Sequence, residues 1–483
     1  MRAQNEKGAN LPHGDDSSNR DLRADTVPKV DAQDVELQTK FQRFPSLRAF
    51  RHRDFAVLWW GGMVSNAGSW MQAVAVGAYV TQATGKATWT ALVAVAAFLP
   101  IGILAPVGGA LADRLDRRRF VIIAETIEAT LAAILALLFV FDSASPGLVT
   151  LMVFLGGAMS ALRLPFHQSV LPDVVPKEDL LGAVSLGSAQ YNLGRVLGPA
   201  AAGVVIAFGS FELAFFINAI SFIAGIAAFA YIRLPHREIT DEAGIWSRIR
   251  AGAGEARKEP GCRSAIFLIA AVALLISPFI ALVPAMAARL GDGGVADTAA
   301  GTGALTTAQG IGAVLGALAI VPMAERFGRR QMIVINLIAT PLLICIYAYS
   351  PNLTIAVGLL SVVGMGYIGI LSGLSTVVQL RAPVAFRARI LSLYFVALGV
   401  IYPIGSLLHG AVADLIGLRS TMIGFALGLI GLISGIKILF PHWLNVLDDP
   451  SEESSSDPIA TESLDEPVSI EPLIDGPAVP LEG

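Results

Sequence analysis

The chain has 483 residues, 54% of them hydrophobic and only 15% charged, against about 25% charged in ordinary soluble proteins. Mean hydropathy is +0.65, which excludes an ordinary soluble enzyme before any motif is read. The formal charge of −4 is unevenly distributed: residues 441–483 hold eleven Asp or Glu and no Lys or Arg, leaving +7 on the rest, without the uniformly basic surface that a nucleic-acid partner requires.

Residues 1–44 are polar and mixed in charge, and composition predicts a disordered cytoplasmic tail with no early apolar stretch of the signal-peptide kind. From Phe41 to Phe55 the text FQRFPSLRAFRHRDF interleaves bases with aromatics, as suits a lipid headgroup layer just before a span. Apolar runs then recur near 55–80, 90–111, 120–141, 147–170, 184–208, 211–232, 264–288, 302–324, 331–349, 353–376, 388–411 and 416–439. Each has about the 20 apolar residues that cross a hydrocarbon core, and backbone groups in lipid require helices. The predicted fold class is therefore an all-α integral membrane protein with twelve transmembrane helices.

Lys and Arg in the connections set orientation. With a cytoplasmic N-terminus, eighteen fall on inward connections, and only Lys86, Arg289 and Arg419 on outward ones. The expectation is a multi-pass protein of the cytoplasmic (inner) membrane with both termini in the cytoplasm. The longest internal connection, 233–263, lies between the sixth and seventh spans. It divides the chain into six-helix bundles at 45–232 and 264–440, followed by an acidic disordered tail over 441–483.

An internal repeat supports that division. Asp113, Arg114, Arg117 and Arg118 after the second span recur as Glu325, Arg326, Arg329 and Arg330 after the eighth, at an offset of 212. Gly198, Pro199 and Gly203 in the fifth span are echoed by Gly405 and Gly410 in the eleventh, at an offset of 207; such glycines permit close helix contact. Repeats of this kind place a substrate site at the midplane between two halves. Guanidiniums and a carboxylate at helix ends can pair across neighbouring helices and break again, which gives two discrete arrangements.

The segment GALADRLDRR resembles the signature between spans two and three of the major facilitator superfamily, with Asp116 where that family usually has Gly. Three longer stretches, FRHRDFAVLWWGGMVSNAGSWMQ, LPDVVPKEDLLGAVSLGSAQYNLGRVLGPAAAG and RARILSLYFVALGVIYPIGSLLHGAVAD, are similar to the subgroup holding the enterobactin exporter and macrolide-efflux proteins. The resemblance covers about 44–440. It implies two pseudo-symmetric bundles, export of a siderophore or drug-like small molecule by alternating access, and a conformational gate at Asp113, Arg114, Arg117 and Arg118. It favours protons as the coupling ion.

Polar residues inside spans are costly and mark candidate sites. In the fifth span Ser185, Ser188, Asn192 and Arg195 form one stripe; Arg195 is too deep to reach the surface, and either an anionic substrate group or a protein carboxylate would satisfy it. The first span carries Ser65, Ser69 and Gln72 with Asn66 and Trp70 beside them, and the eighth carries Thr302, Thr306 and Gln309. Asn66, Trp70, Gln72, Tyr191, Asn192, Arg195, Gln309 and Tyr402 are the candidate cavity residues, with interhelical bonding as the other use of such stripes. Glu125 and Glu128, one turn apart in the third span, are candidate proton carriers, or else bond to Arg114 or another base near the interface. Arg163 and His167 fall near the cytoplasmic end of span four. No phosphate loop, His-Glu-x-x-His or Gly-x-Ser-x-Gly motif occurs, and Cys262 and Cys345 lack disulfide or metal spacing. The expectation is thus a transporter rather than an enzyme, monomeric, with no cofactor or metal. An uptake porter, or a membrane-embedded enzyme or sensor, stands as the alternative.

Overall fold

The computed structural model describes residues 45–112, 114–208, 210–232, 234, 254–291, 294–383, 386–440 and 443–448. Asp113, the tail 1–44, most of 233–253 and the segment 449–483 lie outside the described residues, as do the expectations that fall on them.

Among the described residues twelve long helical segments follow one another: α1 (Arg53–Thr84), α2 (Ala87–Ala112), α3 (Arg117–Val140), α4 (Pro146–Val174), α5 (Leu180–Phe208), α6 (Phe211–Tyr231), α7 (Pro260–Leu275 continuing as Val283–Leu290), α8 (Val295–Phe327), α9 (Arg329–Ala348), α10 (Leu353–Arg381), α11 (Arg387–Val396 continuing as Tyr402–Ile416) and α12 (Leu418–Leu439). Ten are long and apolar enough to cross a membrane. The other two, α1 and α5, span 32 and 29 residues and carry the polar stripes. The fifth and sixth apolar runs are two separate helices, since α5 ends at Phe208 and α6 begins at Phe211.

Local chemistry fixes the helix ends. Gly85, at φ +63, closes α1 in a left-handed conformation and donates to the Thr81 carbonyl, a role glycine fills without a Cβ penalty. Ser145, Asn352 and Glu259 cap α4, α10 and α7 through their side chains. The departure at Asp116 also has a physical account: its carboxylate accepts the Arg119 amide at 2.8 Å and caps α3. In the second copy of the repeat, Gly328 instead turns the chain at φ +78.

Several boundaries differ from expectation. α7 begins at Pro260, four residues inside the predicted linker, because Glu259 provides an N-cap and Pro260 suits the first helical position. α8 begins at Val295 rather than 302. Past position 441, the turn Asn445–Leu447 is ordered, with Leu447 fully buried. Two helices are interrupted: α7 by a 3₁₀ turn at Ser277–Phe279 that contains Pro278, and α11 by a π turn at Ala397–Ile401 just ahead of Pro403. Proline withholds a donor in each case, so the ladder shifts its register locally.

The packing repeats between the halves. α5 lays Gly198 on α1 beside Trp70 Cβ and the Ala67 carbonyl, and turns Gly203 toward Ala300 of α8. α11 lays Gly405 on α7 at the Leu274 and Ala273 carbonyls, and Gly410 on α2 at Ala91 and Ala87. Each fifth helix therefore grips the first helix of its own half and the second helix of the other.

Contacts between the halves gather toward one end of the molecule. There the Gln82 amide of α1 bonds Thr298 of α8. The Asp414 carboxylate of α11 accepts the Ala87 amide at 2.7 Å, the Thr88 amide at 3.1 Å and the Thr88 hydroxyl at 2.5 Å, which caps α2 from across the seam. We call this the clasped end.

Candidate functional site

A polar cluster lies where α1, α5 and α8 meet, near the middle of each helix. Arg195 of α5 donates through Nη2 to Gln309 Oε1 of α8 at 2.8 Å, and its guanidinium lies 5.6 Å from the Trp70 ring centre. Trp70 in turn meets Tyr191 edge-on, with ring centres 5.9 Å apart. Asn66 donates to the Gln190 and Tyr191 carbonyls at 3.2 and 3.3 Å, which pins α1 to α5. Gln309 is 1% exposed whereas Tyr191 is 49% exposed, so one edge of the cluster is open. Thr307 of α8 bonds the Val196 carbonyl at 3.2 Å, and Gly303 and Gly310 let the two backbones approach. A groove of about 340 Å³ runs beside this seam along Pro199, Gly203, Ala304 and Ile311; its walls are apolar.

Asn66, Trp70, Tyr191, Arg195 and Gln309 are thus brought together. The three other predicted cavity residues make contacts outside this set. Gln72 faces α6 and accepts from Asn218 at 2.8 Å, because position 72 falls a half-turn from Trp70 on the α1 surface. Asn192 bonds the Ser188 carbonyl of its own helix at 2.8 Å. Tyr402 is buried on the α2–α11 seam, 5.4 Å from Phe98 in an edge-on pair, and lies within electrostatic reach of Arg195 and Tyr191.

A second cluster lies inside the first half. Arg163 of α4 reaches both acids of α3: Nη1 is 3.4 Å from Glu125 Oε1, and Nε is 2.9 Å from Glu128 Oε2. The side chains are 4% and 7% exposed for the acids and 20% for the arginine. Glu125 Oε2 is buried without a donor and points at Gly225 of α6, where a Cβ would sit 2.3 Å away. The partner is therefore a base on the neighbouring spanning helix and not Arg114. Sequence reading had noted Arg163 and both acids without joining them, although 163 lies opposite 125–128 for antiparallel neighbours joined by a short loop.

The repeated arginines tie helix ends together within each half. Arg117 pairs with Asp173 at the end of α4, 2.6 Å away, and donates to the Ser169 carbonyl. Arg118 donates to the Phe229 and Ala230 carbonyls, which end α6; a guanidinium there satisfies carbonyls that lack helical partners. Its counterpart Arg330 instead meets side chains in the second half, donating to Asn445 Oδ1 and pairing with the Asp448 carboxylate just past α12. Glu325 and Arg326 are exposed, with Arg326 over the Phe327 ring, and Arg114 is exposed in the α2–α3 turn. Sequence reading missed Asp173 and also Asp179, which pairs with Arg48 and His52 at 3.3 and 2.8 Å and holds the helical turn Pro45–Arg51 against α5. Asp173 and Asp179 read as connection charges in a single sequence.

Among the described residues no group of His, Cys, Asp and Glu could hold a metal ion. Comparison with known proteins places this arrangement. A family model described as transmembrane secretion effector matches residues 45–471. The multidrug efflux pump Tap of Mycolicibacterium fortuitum is 27% identical over 393 residues, covering 80% of this chain and 95% of that protein. The staphyloferrin A transporter of Staphylococcus aureus is 27% identical over 184 residues, 38% of this chain and 46% of that one. In fold, the chain is similar to a bacterial homologue of the human lysosomal transporter Spinster solved inward-facing and unoccupied. The TM-score is 0.65 at 14% identity, over 83% of this chain and 98% of the other.

Proposed function

We propose that this chain, which belongs to the transmembrane secretion effector family of the major facilitator superfamily, exports a drug-sized organic molecule in exchange for protons. It is a multi-pass membrane transporter of the efflux type and not an enzyme. In this reading it occupies the inner membrane as a monomer, residues 45–232 and 264–440 act as rocking bundles, and both tails are cytoplasmic, as the basic residues on inward connections require. The clasped end then faces outward and the pose is inward-open. Substrate enters from the cytoplasm beside Trp70 and Tyr191, the Asp414 and Gln82 contacts break, and the cavity opens to the outside.

The observation that carries proton coupling is the Glu125–Glu128–Arg163 cluster. Fully ionised, two carboxylates and one guanidinium sum to −1, and one proton makes the cluster neutral. A buried charge imbalance of this kind is expensive, so proton uptake and release bias the bundle that contains it. Glu125 Oε2, which lacks a donor and, unlike Glu128 Oε2, is not the oxygen paired with Arg163, is the atom that takes the proton.

The test is reconstitution in proteoliposomes with an imposed pH gradient and two dyes, fluorescein and rhodamine 6G. Wild-type protein should move at least one dye against its gradient. The Glu125→Gln/Glu128→Gln protein should lose gradient-driven accumulation while still exchanging dye down its gradient. Retained accumulation in the double variant would remove this cluster from coupling.

A further inference from the structure

Two guanidiniums sit deep among the membrane-spanning helices, and their surroundings differ. Arg163 faces two carboxylates. Arg195 lies near the middle of α5 and faces none among the described residues. Its partners there are the Gln309 amide oxygen and the Trp70 ring, both without formal charge, and its buried Nε has no acceptor. A cation at that depth is costly unless paired, and an amide oxygen with an indole face supplies only part of what water would.

We infer that Arg195, with Trp70 and Tyr191, forms a subsite for the anionic group of a planar aromatic substrate, so that the exported class is aromatic organic acids. The inference rests on the export reading above and specifies its cargo. Arginine suits a carboxylate or phenolate because its planar donors hold such groups through charge-assisted hydrogen bonds. Nε is the donor left without an acceptor, and the half-exposed Tyr191 ring beside Trp70 offers an edge against which a second aromatic can pack. Position adds a consequence. The Nη2–Gln309 bond joins α5 of one half to α8 of the other, so an anion that draws the guanidinium away from Gln309 removes a bond that spans the seam. The negative group would then be read by both halves at once.

The experiment is equilibrium binding of two dyes with related fused-ring bodies, anionic fluorescein and cationic rhodamine 6G, to the full chain in lipid nanodiscs by fluorescence anisotropy. Wild-type protein should favour fluorescein. Arg195→Gln should weaken fluorescein about tenfold, the equivalent of about 1.4 kcal/mol, and tighten rhodamine 6G, while Arg195→Lys should recover part of the fluorescein affinity. Gln309→Ala, which frees Nη2, should tighten fluorescein and provides a second reading if Arg195→Gln fails to fold. Shifts of both dyes in the same direction, or a wild-type protein indifferent to dye charge, would overturn the subsite. The two readings separate cleanly. Gradient-driven dye export that ignores Arg195 keeps export and removes the subsite. Arg195-dependent fluorescein binding without gradient-driven movement of either dye keeps the subsite and removes export.

Discussion

Asp414 is a helix cap supplied by the wrong half, and that makes it the sharpest point at which to perturb the clasp. Its carboxylate satisfies the first two amides of α2 and the Thr88 hydroxyl from the last turns of α11. Because α2 and α11 belong to different halves, these bonds exist only while this end is closed. Replacing an N-cap by alanine costs about 0.5–2 kcal/mol. An ionised acceptor would reach the upper part of that range if buried, but Asp414 is exposed and water takes its place when the clasp opens. A value near 1.4 kcal/mol, or about tenfold in the closed-to-open ratio, is the expected result for Asp414→Ala.

Spin labels at Ser143 and Ser420, both exposed near this end, would read that ratio as two populations in a distance distribution. The label sites belong in a background where Cys262 and Cys345 are replaced. Asp414→Ala should move weight toward the longer distance. Asp414→Asn, which keeps an acceptor oxygen, should lie between it and the parent. Melting temperature should change little, since no bond within either half is lost. An unchanged distance distribution in well-folded Asp414→Ala protein would refute the reasoning, because the clasp would then be a consequence of closure and not one of its causes.

Three further outcomes follow from contacts already described. Gly312→Ala puts a Cβ 1.7 Å from the Ser361 carbonyl oxygen of α10, whereas Gly428→Ala on α12 meets nothing within 4 Å. Thermal unfolding in detergent should show the first destabilised by about 1–3 kcal/mol and the second close to parent. Asp116→Ala should cost about 1 kcal/mol through the lost α3 cap while Asp116→Asn costs little, as the same melts would show. Arg163→Met should lose several kcal/mol by stranding two buried acids, roughly 3–5 by the usual cost of breaking a buried pair; adding Glu125→Gln and Glu128→Gln should recover much of the expression and melting temperature but not gradient-driven transport.

Most of the helix pattern was legible because lipid removes the alternatives: a chain this apolar must pair its backbone internally, and apolar runs then locate the spans. Ends were less legible, since Glu259 and Pro260 extend α7 into what composition reads as linker. At the seam, the depth of Arg195 and the stripe on α1 led to a cluster that exists, yet helical periodicity alone did not separate the face of α1 turned to α5 from the face turned to α6. Gln72 went to Asn218 for that reason. The pairing of Arg163 with Glu125 and Glu128 needs the antiparallel register of α3 and α4, which spacing within one helix does not contain. The arginines of the repeat were visible as a motif, but their partners, Asp173 and the ends of α6 and α12, are set by how six helices close on one another.

The two glycine pairs show why a rocking motion can leave each half intact. Gly198 and Gly405 bind a fifth helix to the first helix of its own half, and Gly203 and Gly410 face the second helix of the opposite half. The first kind of contact is compatible with any relative pose of the halves. The second has to change whenever the seam opens. Both seams are tight: a Cβ on Gly410 would stand 2.8 Å from Ala91, and one on Gly303 2.5 Å from the Pro199 carbonyl oxygen. The α2–α11 seam also holds the Asp414 cap, and the α5–α8 seam holds Arg195 and Gln309. Closure is therefore divided between a seam that carries a cap and one that carries a charge with no carboxylate partner among the described residues. A ligand that draws Arg195 from Gln309 acts on the α5–α8 seam without first displacing the Asp414 cap, and in the reading proposed above that is how substrate shifts the balance between poses.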